Sequence, residues 1–424
     1  MIQKFVNICN NNKSKDAFRY LRKNKIITKT FEELLNDAYR YCNLFNYLGL
    51  EKKEKIIVFL LPSYEFYTLL IAGMMYGINL VIIDDFREKN KVKLMVESVK
   101  SKYVFVNNKT KLVAKFIFNG LKLININSFF KYKCAYFKGD INKNDICLTT
   151  FTSGTTGIPK VINRTFSDLE KQVELIYNNF TIDQNDVNIC MLPIYVLFSL
   201  FNGNTTCIIK KINNKNIRLL KGNIILGKIN KILKIKDRII GIKKLYLGGA
   251  YIYKNEAKRI IEIFPQTEIN YIYGASEGVV IGINYLNDFL QYQRFNIVKG
   301  INVNIIDSVN GIGEIVINGK SVLSKDLSHK TGDIGFIDKK YIYVYGRKKY
   351  SSLTNLFYNY LADERIRERY NLNKAFTLWY NDRIVVFYSG KRKINGLIKI
   401  KRFPYDLKHK TKVDYNKLIE QYLH

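Results

Sequence analysis

The run from Ile56 to Asp84 constrains the fold more than any other feature. IIVFLL (56–61) is an apolar run of strand length, and Pro62 and Ser63 break it. Ser63 is suited to accept the first amide hydrogens of a helix. Residues 64–76 are apolar on every side, Gly77 can end a helix in the left-handed conformation, and NLVIID (79–84) is a second apolar run. Strand, helix and strand in this order predict a βαβ unit with parallel strands buried on both faces. The apolar stretch from Phe66 to Ile83 is not expected to cross a membrane, because Gly73, Gly77 and Asn79 interrupt it.

The rest of the chain extends this reading. Thr30-Phe31-Glu32-Glu33 has the form of a capping box ahead of an amphipathic helix, FEELLNDAYRYCNLFNYLG. Residues 100–148 alternate short apolar runs with polar breaks, and a helix is expected over 167–178. KKLYLGGA and EINYIYGA read as strands that each end in a glycine-containing turn. Ligands of open α/β sheets sit at the carboxyl ends of strands, so these turns are candidate site walls. From residue 296 the pattern is β-rich. After Gly346-Arg347 it changes to short basic segments down to His424. The expected architecture is α/β. A large lobe, 1–346, combines βαβ-type sheets with a β-rich subdomain, and a small α+β lid occupies 347–424. A chain of 424 residues is long enough for both.

Composition narrows the class of function. Lys plus Arg is 69 against 36 Asp plus Glu, a net charge of +33. The lysines are spread along the chain, which reads as solvated surface. No helix-turn-helix, RNP-like or zinc-finger pattern accompanies them, so no specific nucleic-acid partner is expected. The six cysteines form no CxxC pair, and the three histidines lie far apart. The first twenty residues hold no apolar core of signal-peptide length. A reducing cytoplasm and no transmembrane segment are the expectation.

Thr152-Ser153-Gly154-Thr155-Thr156-Gly157-Ile158-Pro159-Lys160 follows the strand-like run CLTTF. Its glycines let backbone approach an anion, its hydroxyls donate hydrogen bonds, and Lys160 adds positive charge. This is the chemistry of a phosphate cradle, although a Walker A pattern cannot be laid on it.

TSGTTGIPK resembles the phosphate-loop signature of the adenylate-forming (AMP-binding) superfamily of acyl-CoA synthetases, luciferases and peptide-synthetase adenylation domains. Gly248-Gly249-Ala250 is similar to the family's adenine-side glycine turn, and Tyr271-Ile272-Tyr273-Gly274-Ala275-Ser276-Glu277 to its YGxTE segment, with Ser276 in place of Thr. Thr331-Gly332-Asp333 matches TGD, and Gly346-Arg347-Lys348 matches the segment that begins the hinge. The resemblance implies that Tyr273 stacks on adenine, that Asp333 holds the ribose hydroxyls and that Arg347 forks onto ribose or phosphate oxygens. It also implies that Glu277 ligates Mg²⁺. Each residue type suits its role.

Lys412-Val413-Asp414 resembles the family's closing segment with its catalytic lysine. FPYDLKHKTK (403–412), together with 192–198 and Thr205-Thr206, is most similar to the olefin-pathway β-lactone synthetases. Lys412 is the expected catalytic lysine, with Lys408 and Lys410 as alternatives. The implied reaction is attack of a carboxylate, of fatty or 3-hydroxy fatty type, on the α-phosphate of Mg-ATP. It releases pyrophosphate and leaves an acyl-adenylate, with Lys160, Glu277 and Lys412 as the catalytic groups. The acceptor is CoA, an acyl-carrier thiol or the substrate's own 3-hydroxyl. The apolar segment 195–201 is the expected acyl pocket. A catalytically silent nucleotide-binding homologue, or a basic nucleic-acid binder, is the alternative from a different class.

Overall fold

The computed structural model describes every residue except 84–88, 138, 140, 153–159, 210, 276–279, 324–327, 391, 406–412 and 424. The chain divides into two compact units, Met1–Leu226 and Gly227–His424.

The first unit holds strands β1 (Asp16–Arg22), β2 (Lys25–Thr30), β3 (Lys55–Val58), β4 (Asn79–Ile82), β5 (Tyr103–Val106), β6 (Lys122–Asn125), β7 (Ile146–Thr152), β8 (Lys160–Thr165), β9 (Val187–Cys190), β10 (Thr205–Ile208) and β11 (Ile224–Lys228). One sheet has the order β6-β5-β3-β4-β7-β8. It is parallel except for the β7–β8 hairpin. The expected βαβ unit is β3, the helix Tyr64–Tyr76 and β4. Ser63 accepts the amide hydrogen of Phe66, and Gly77 closes the helix at φ 89°. Every residue of this helix except Glu65 is buried. That is why its sequence carries no amphipathic pattern: it has no solvent face to mark. Both strands stop short of their apolar runs. Phe59 still bonds the carbonyl of Phe105, but Pro62 has no amide hydrogen to continue a ladder. In the helix Phe31–Tyr47, Thr30 and Glu33 form the reciprocal capping box. In a second run of strands, β11-β9-β10-β1 pair in parallel and β2 closes the edge as a hairpin.

The second unit holds β12 (Lys244–Gly248), β13 (Glu268–Tyr273), β14 (Gly282–Tyr285), β15 (Arg294–Ile297), β16 (Asn302–Val309), β17 (Ile312–Asn318), β18 (Ser328–Asp338) and β19 (Tyr341–Arg347). Their order is β16-β17-β18-β19-β15-β14-β13-β12. Among the described residues of these eight strands, only β12 and β13 pair in parallel. Beyond them, β20 (Lys374–Tyr380), β21 (Arg383–Ser389) and β22 (Ile398–Lys399) form a small sheet. Leu378, Phe387, Ile400, Phe403, Tyr415 and Leu418 make its core. The α/β architecture is therefore as expected. Among the described residues no helix is long and apolar enough to cross a membrane.

Candidate active site

The second unit gathers four of the segments singled out in the sequence. β12 delivers Gly248-Gly249-Ala250 at its carboxyl end. The neighbouring parallel strand β13 anchors that turn. The Tyr271 hydroxyl donates to the carbonyl of Ala250 and accepts from the amide of Ile252, both at 3.0 Å. β13 ends at Tyr273, with Gly274 exposed beyond it. Ser276 and Glu277 lie outside the described residues.

Asp333 is the centre of this region. It is a buried carboxylate on β18, opposite Arg347 on β19 in register. Arg347 Nη1 donates to Asp333 Oδ1 at 2.7 Å, and the Tyr273 hydroxyl donates to Oδ2 at 2.8 Å. Each carboxylate oxygen thus has one donor and retains lone-pair capacity for another. The facing carboxylate raises the Arg347 pKa above its ordinary value, so the guanidinium stays charged. Burial, with the same carboxylate second, holds the Tyr273 phenol well above its usual pKa and keeps it a donor. Thr331 shapes the approach: its hydroxyl accepts from the Asp333 amide at 3.1 Å and donates to the carbonyl of Ile315 at 2.9 Å. Gly332 between them sits at φ 72°, a conformation that L side chains rarely adopt.

Tyr273 was expected to offer a ring face. Here its ring lies 5.6 Å, centroid to centroid, from Phe295, and its hydroxyl is committed to Asp333. That bond was not legible in the motifs, nor were Thr331's two contacts.

The hinge segment is tied to the following helix, Asn359–Tyr370, by a fully buried amide. Asn359 Oδ1 accepts from the Arg347 amide at 2.8 Å, and Nδ2 donates to the Tyr415 hydroxyl at 3.3 Å. Gly346 has no room for a Cβ, which would strike Asn359 Oδ1 and come within 2.7 Å of Ser351 Oγ. Lys348 pairs with Glu314 at 2.7 Å and Asp307 at 3.1 Å. Tyr415 follows Asp414, whose amide donates to the carbonyl of Pro404 at 2.9 Å, while Tyr405 and Val413 form an antiparallel bridge. These contacts join the residues that flank 406–412 in sequence. Lys408, Lys410 and Lys412 themselves lie outside the described residues.

The same helix seats the C-terminal segment on the loop 251–254. Tyr360 stacks on Tyr251 at 4.5 Å, and Asp363 Oδ2 accepts from the Tyr253 hydroxyl at 2.6 Å. Glu364 accepts from the Lys254 amide at 2.8 Å, Arg367 covers the Tyr253 ring at 3.4 Å, and Glu368 pairs with Lys254 Nζ at 2.8 Å. Positions 360, 363, 364, 367 and 368 are one helical stripe. Burial raises the Asp363 carboxyl to about 7. No sequence motif announced this polar seat.

In the first unit, the expected phosphate loop connects β7 to β8. Thr152 and Lys160 are the last ladder pair before the turn, Ser153 to Pro159 lie outside the described residues, and Lys160 is exposed. β7 runs parallel to β4, so the hairpin leaves the sheet at a carboxyl edge. The segment 195–201 forms buried helix core, with Phe201 against Phe5 and Tyr195 against Phe180.

A parallel sheet with a hairpin at its carboxyl edge, an antiparallel β-rich segment and a small α+β segment together form the fold of adenylate-forming enzymes. ATP-bound MatB from Rhodopseudomonas palustris superposes with a TM-score of 0.85 at 16% identity, covering 99% of each chain. O-succinylbenzoate coenzyme A synthetase (MenE) from Bacillus subtilis, in complex with AMP, gives 0.83 at 16% identity, covering 98% of this chain and 97% of that one. The family of AMP-binding enzymes matches residues 5–325, and the chain belongs to that family. In sequence it is 24% identical over 257 residues to 4-coumarate–CoA ligase CCL1 of Humulus lupulus, covering 47% of this chain and 45% of the relative. It is 22% identical over 272 residues to D-alanine–D-alanyl carrier protein ligase of Staphylococcus epidermidis, covering 59% and 55%. The chain spans about half the length of these relatives.

Proposed function

We propose that the chain is an AMP-forming ligase that activates a carboxylic acid with ATP. The carboxylate attacks the α-phosphate, the bond to the bridging oxygen breaks, pyrophosphate leaves and an acyl-adenylate remains. A nucleophile then displaces AMP. The observation that carries this reading is the Asp333 carboxylate, held between Arg347 and Tyr273 with acceptor capacity left for ribose hydroxyls. It lies in a chain of the AMP-binding family.

In this reading Gly248, Gly249 and Ala250 border the adenine, and Tyr273, Gly274 and Ser276 belong to the same nucleotide wall. The loop from Thr152 through Ser153, Gly154, Thr155, Thr156 and Gly157 to Lys160 cradles the phosphates. Glu277 suits Mg²⁺ as a hard oxygen donor; the ion would neutralise phosphate charge. Lys412 stabilises the negative charge that develops between carboxylate and phosphate. Residues 347–424 act as a lid that brings Lys412 toward the nucleotide. Asn359 couples the hinge backbone to Tyr415, three residues from Lys412.

For the substrate we favour a fatty or 3-hydroxy fatty acid, and for the acceptor CoA or a carrier thiol. The names of the relatives, CoA ligases and a carrier protein ligase, support the thiol. The likeness of 403–412 to β-lactone synthetases supports a 3-hydroxy acid that closes on itself. The test is carboxylate-dependent exchange of labelled pyrophosphate into ATP over a panel of acids, with and without CoA. Exchange that depends on a fatty or 3-hydroxy acid is the expected result; no exchange with any acid overturns the proposal.

A further inference from the structure

The helix Lys111–Ile117 turns its apolar residues the wrong way for a protein in water alone. Ala114 and Phe118 enter the core beneath it, with Ile117 packed at the margin. Leu112, Val113 and Phe116 point outward and are 67%, 41% and 79% exposed. Phe116 lies four residues from Leu112 and three from Val113, spacings that place these three on a common face. Lys109, Lys111 and Lys115 are exposed around them. The neighbouring helix Lys89–Val99 adds an exposed Leu94, 48% accessible, beside Lys93. From Ser98 to Gly139 the sequence contains no Asp or Glu; Glu97, on that neighbouring helix, and Asp140 flank this stretch. The patch sits by β6, the edge strand of its sheet.

An exposed cluster of large aliphatic and aromatic side chains ringed by lysines has a defined complement. A second copy of the chain would bring like charges face to face. A nucleic acid would satisfy the lysines but leave Leu112 and Val113 without a stacking partner. An anionic phospholipid surface satisfies both: ammonium groups meet headgroup phosphates while the apolar tips enter the acyl boundary. We infer that this face docks the protein reversibly on anionic membranes, with Leu112 and Phe116 as shallow anchors. The inference is independent of the proposed ligase activity.

The experiment is co-sedimentation of the full chain with phosphatidylcholine vesicles, and with vesicles in which part of that lipid is replaced by phosphatidylglycerol. Binding is expected only with phosphatidylglycerol. The double variant Leu112→Ser/Phe116→Ser, whose net charge is unchanged, should bind about tenfold more weakly. Both positions are exposed, and an unchanged urea midpoint will confirm that the variant folds. Should the variant bind these vesicles as well as the parent, adsorption is merely a consequence of net charge and the inference fails. Failure of the parent to bind any vesicle also overturns it, as does competition in which duplex DNA, but no lipid, protects the 111–117 face from deuterium exchange.

Discussion

At the scale of single residues, Asp333 is where charge and geometry converge. Its two oxygens are already engaged by Arg347 and Tyr273, so a nucleotide would meet a carboxylate fixed in place. Asp333→Ala should weaken ATP binding about tenfold or more, because hydrogen bonds to a charged group are worth about 1.5–3 kcal/mol. Nucleotide titration by calorimetry checks it, and an unchanged affinity would remove the ribose contact from the proposal. Tyr273→Phe keeps the ring and loses the hydroxyl. It should cost about 1 kcal/mol in the same titration. A larger loss would mean that orienting the carboxylate matters more than the ring. Lys412→Ala has a different signature. Pyrophosphate exchange should fall about a hundredfold or more while ATP affinity holds, since removing a charge-stabilising donor costs about 3 kcal/mol in the transition state alone. Asp333 and Arg347 could be singled out in the sequence because each sits in a short motif. The Tyr273 bond was not. It depends on β13 and β18 lying near one another, although β14, β15 and β19 separate them in the sheet, and no local pattern encodes that order.

Elements were legible where caps and apolar runs mark them. The capping box at Thr30 and the helix after Ser63 could be read from residue type alone, because caps are local chemistry. The helix Asn359–Tyr370 was harder to read. Its inward stripe is Tyr360, Asp363, Glu364, Arg367 and Glu368, so it carries no apolar signal for a buried face. A seat of this kind depends on pH. Burial raises Asp363 from 3.8 to about 7, and burial likewise raises Glu256 and Glu364 beside it. Arg367, Lys254 and Lys374 oppose the shift. The folded chain therefore keeps a proton on Asp363 that the unfolded chain releases. This contribution to stability is full below about pH 4 and is lost as pH rises through about 7. The urea midpoint should fall over that window, and Asp363→Asn, which keeps a hydrogen-bonding partner for Tyr253, should flatten the fall. An equally steep profile in the variant would assign the dependence to other groups. Asp363→Ala should cost about 1–3 kcal/mol, because the donors of Tyr253 and Thr377 would be left buried and unpaired.

At the scale of the whole molecule, a net charge of +33 must act on every anion the protein meets. ATP, a vesicle surface and a nucleic acid all experience it, and salt separates them. Charges farther apart than about 8 Å are largely screened at physiological ionic strength, so a diffuse lysine surface loses its reach there. Nucleic acid held only by that surface should bind at low salt without sequence preference. Its affinity should fall about a thousandfold or more between 50 and 200 mM salt if six or more phosphates are neutralised. Nucleotide bound as proposed at the Asp333 carboxylate would be held by short, oriented contacts. Its affinity should change far less over the same range. Fluorescence titrations of a labelled duplex and of a labelled ATP analogue, run side by side against salt, make the comparison. Parallel slopes would mean that the lysines and not the Asp333 region dominate anion binding. A duplex that stays bound, with sequence preference, above physiological salt would make nucleic-acid recognition a function of the protein.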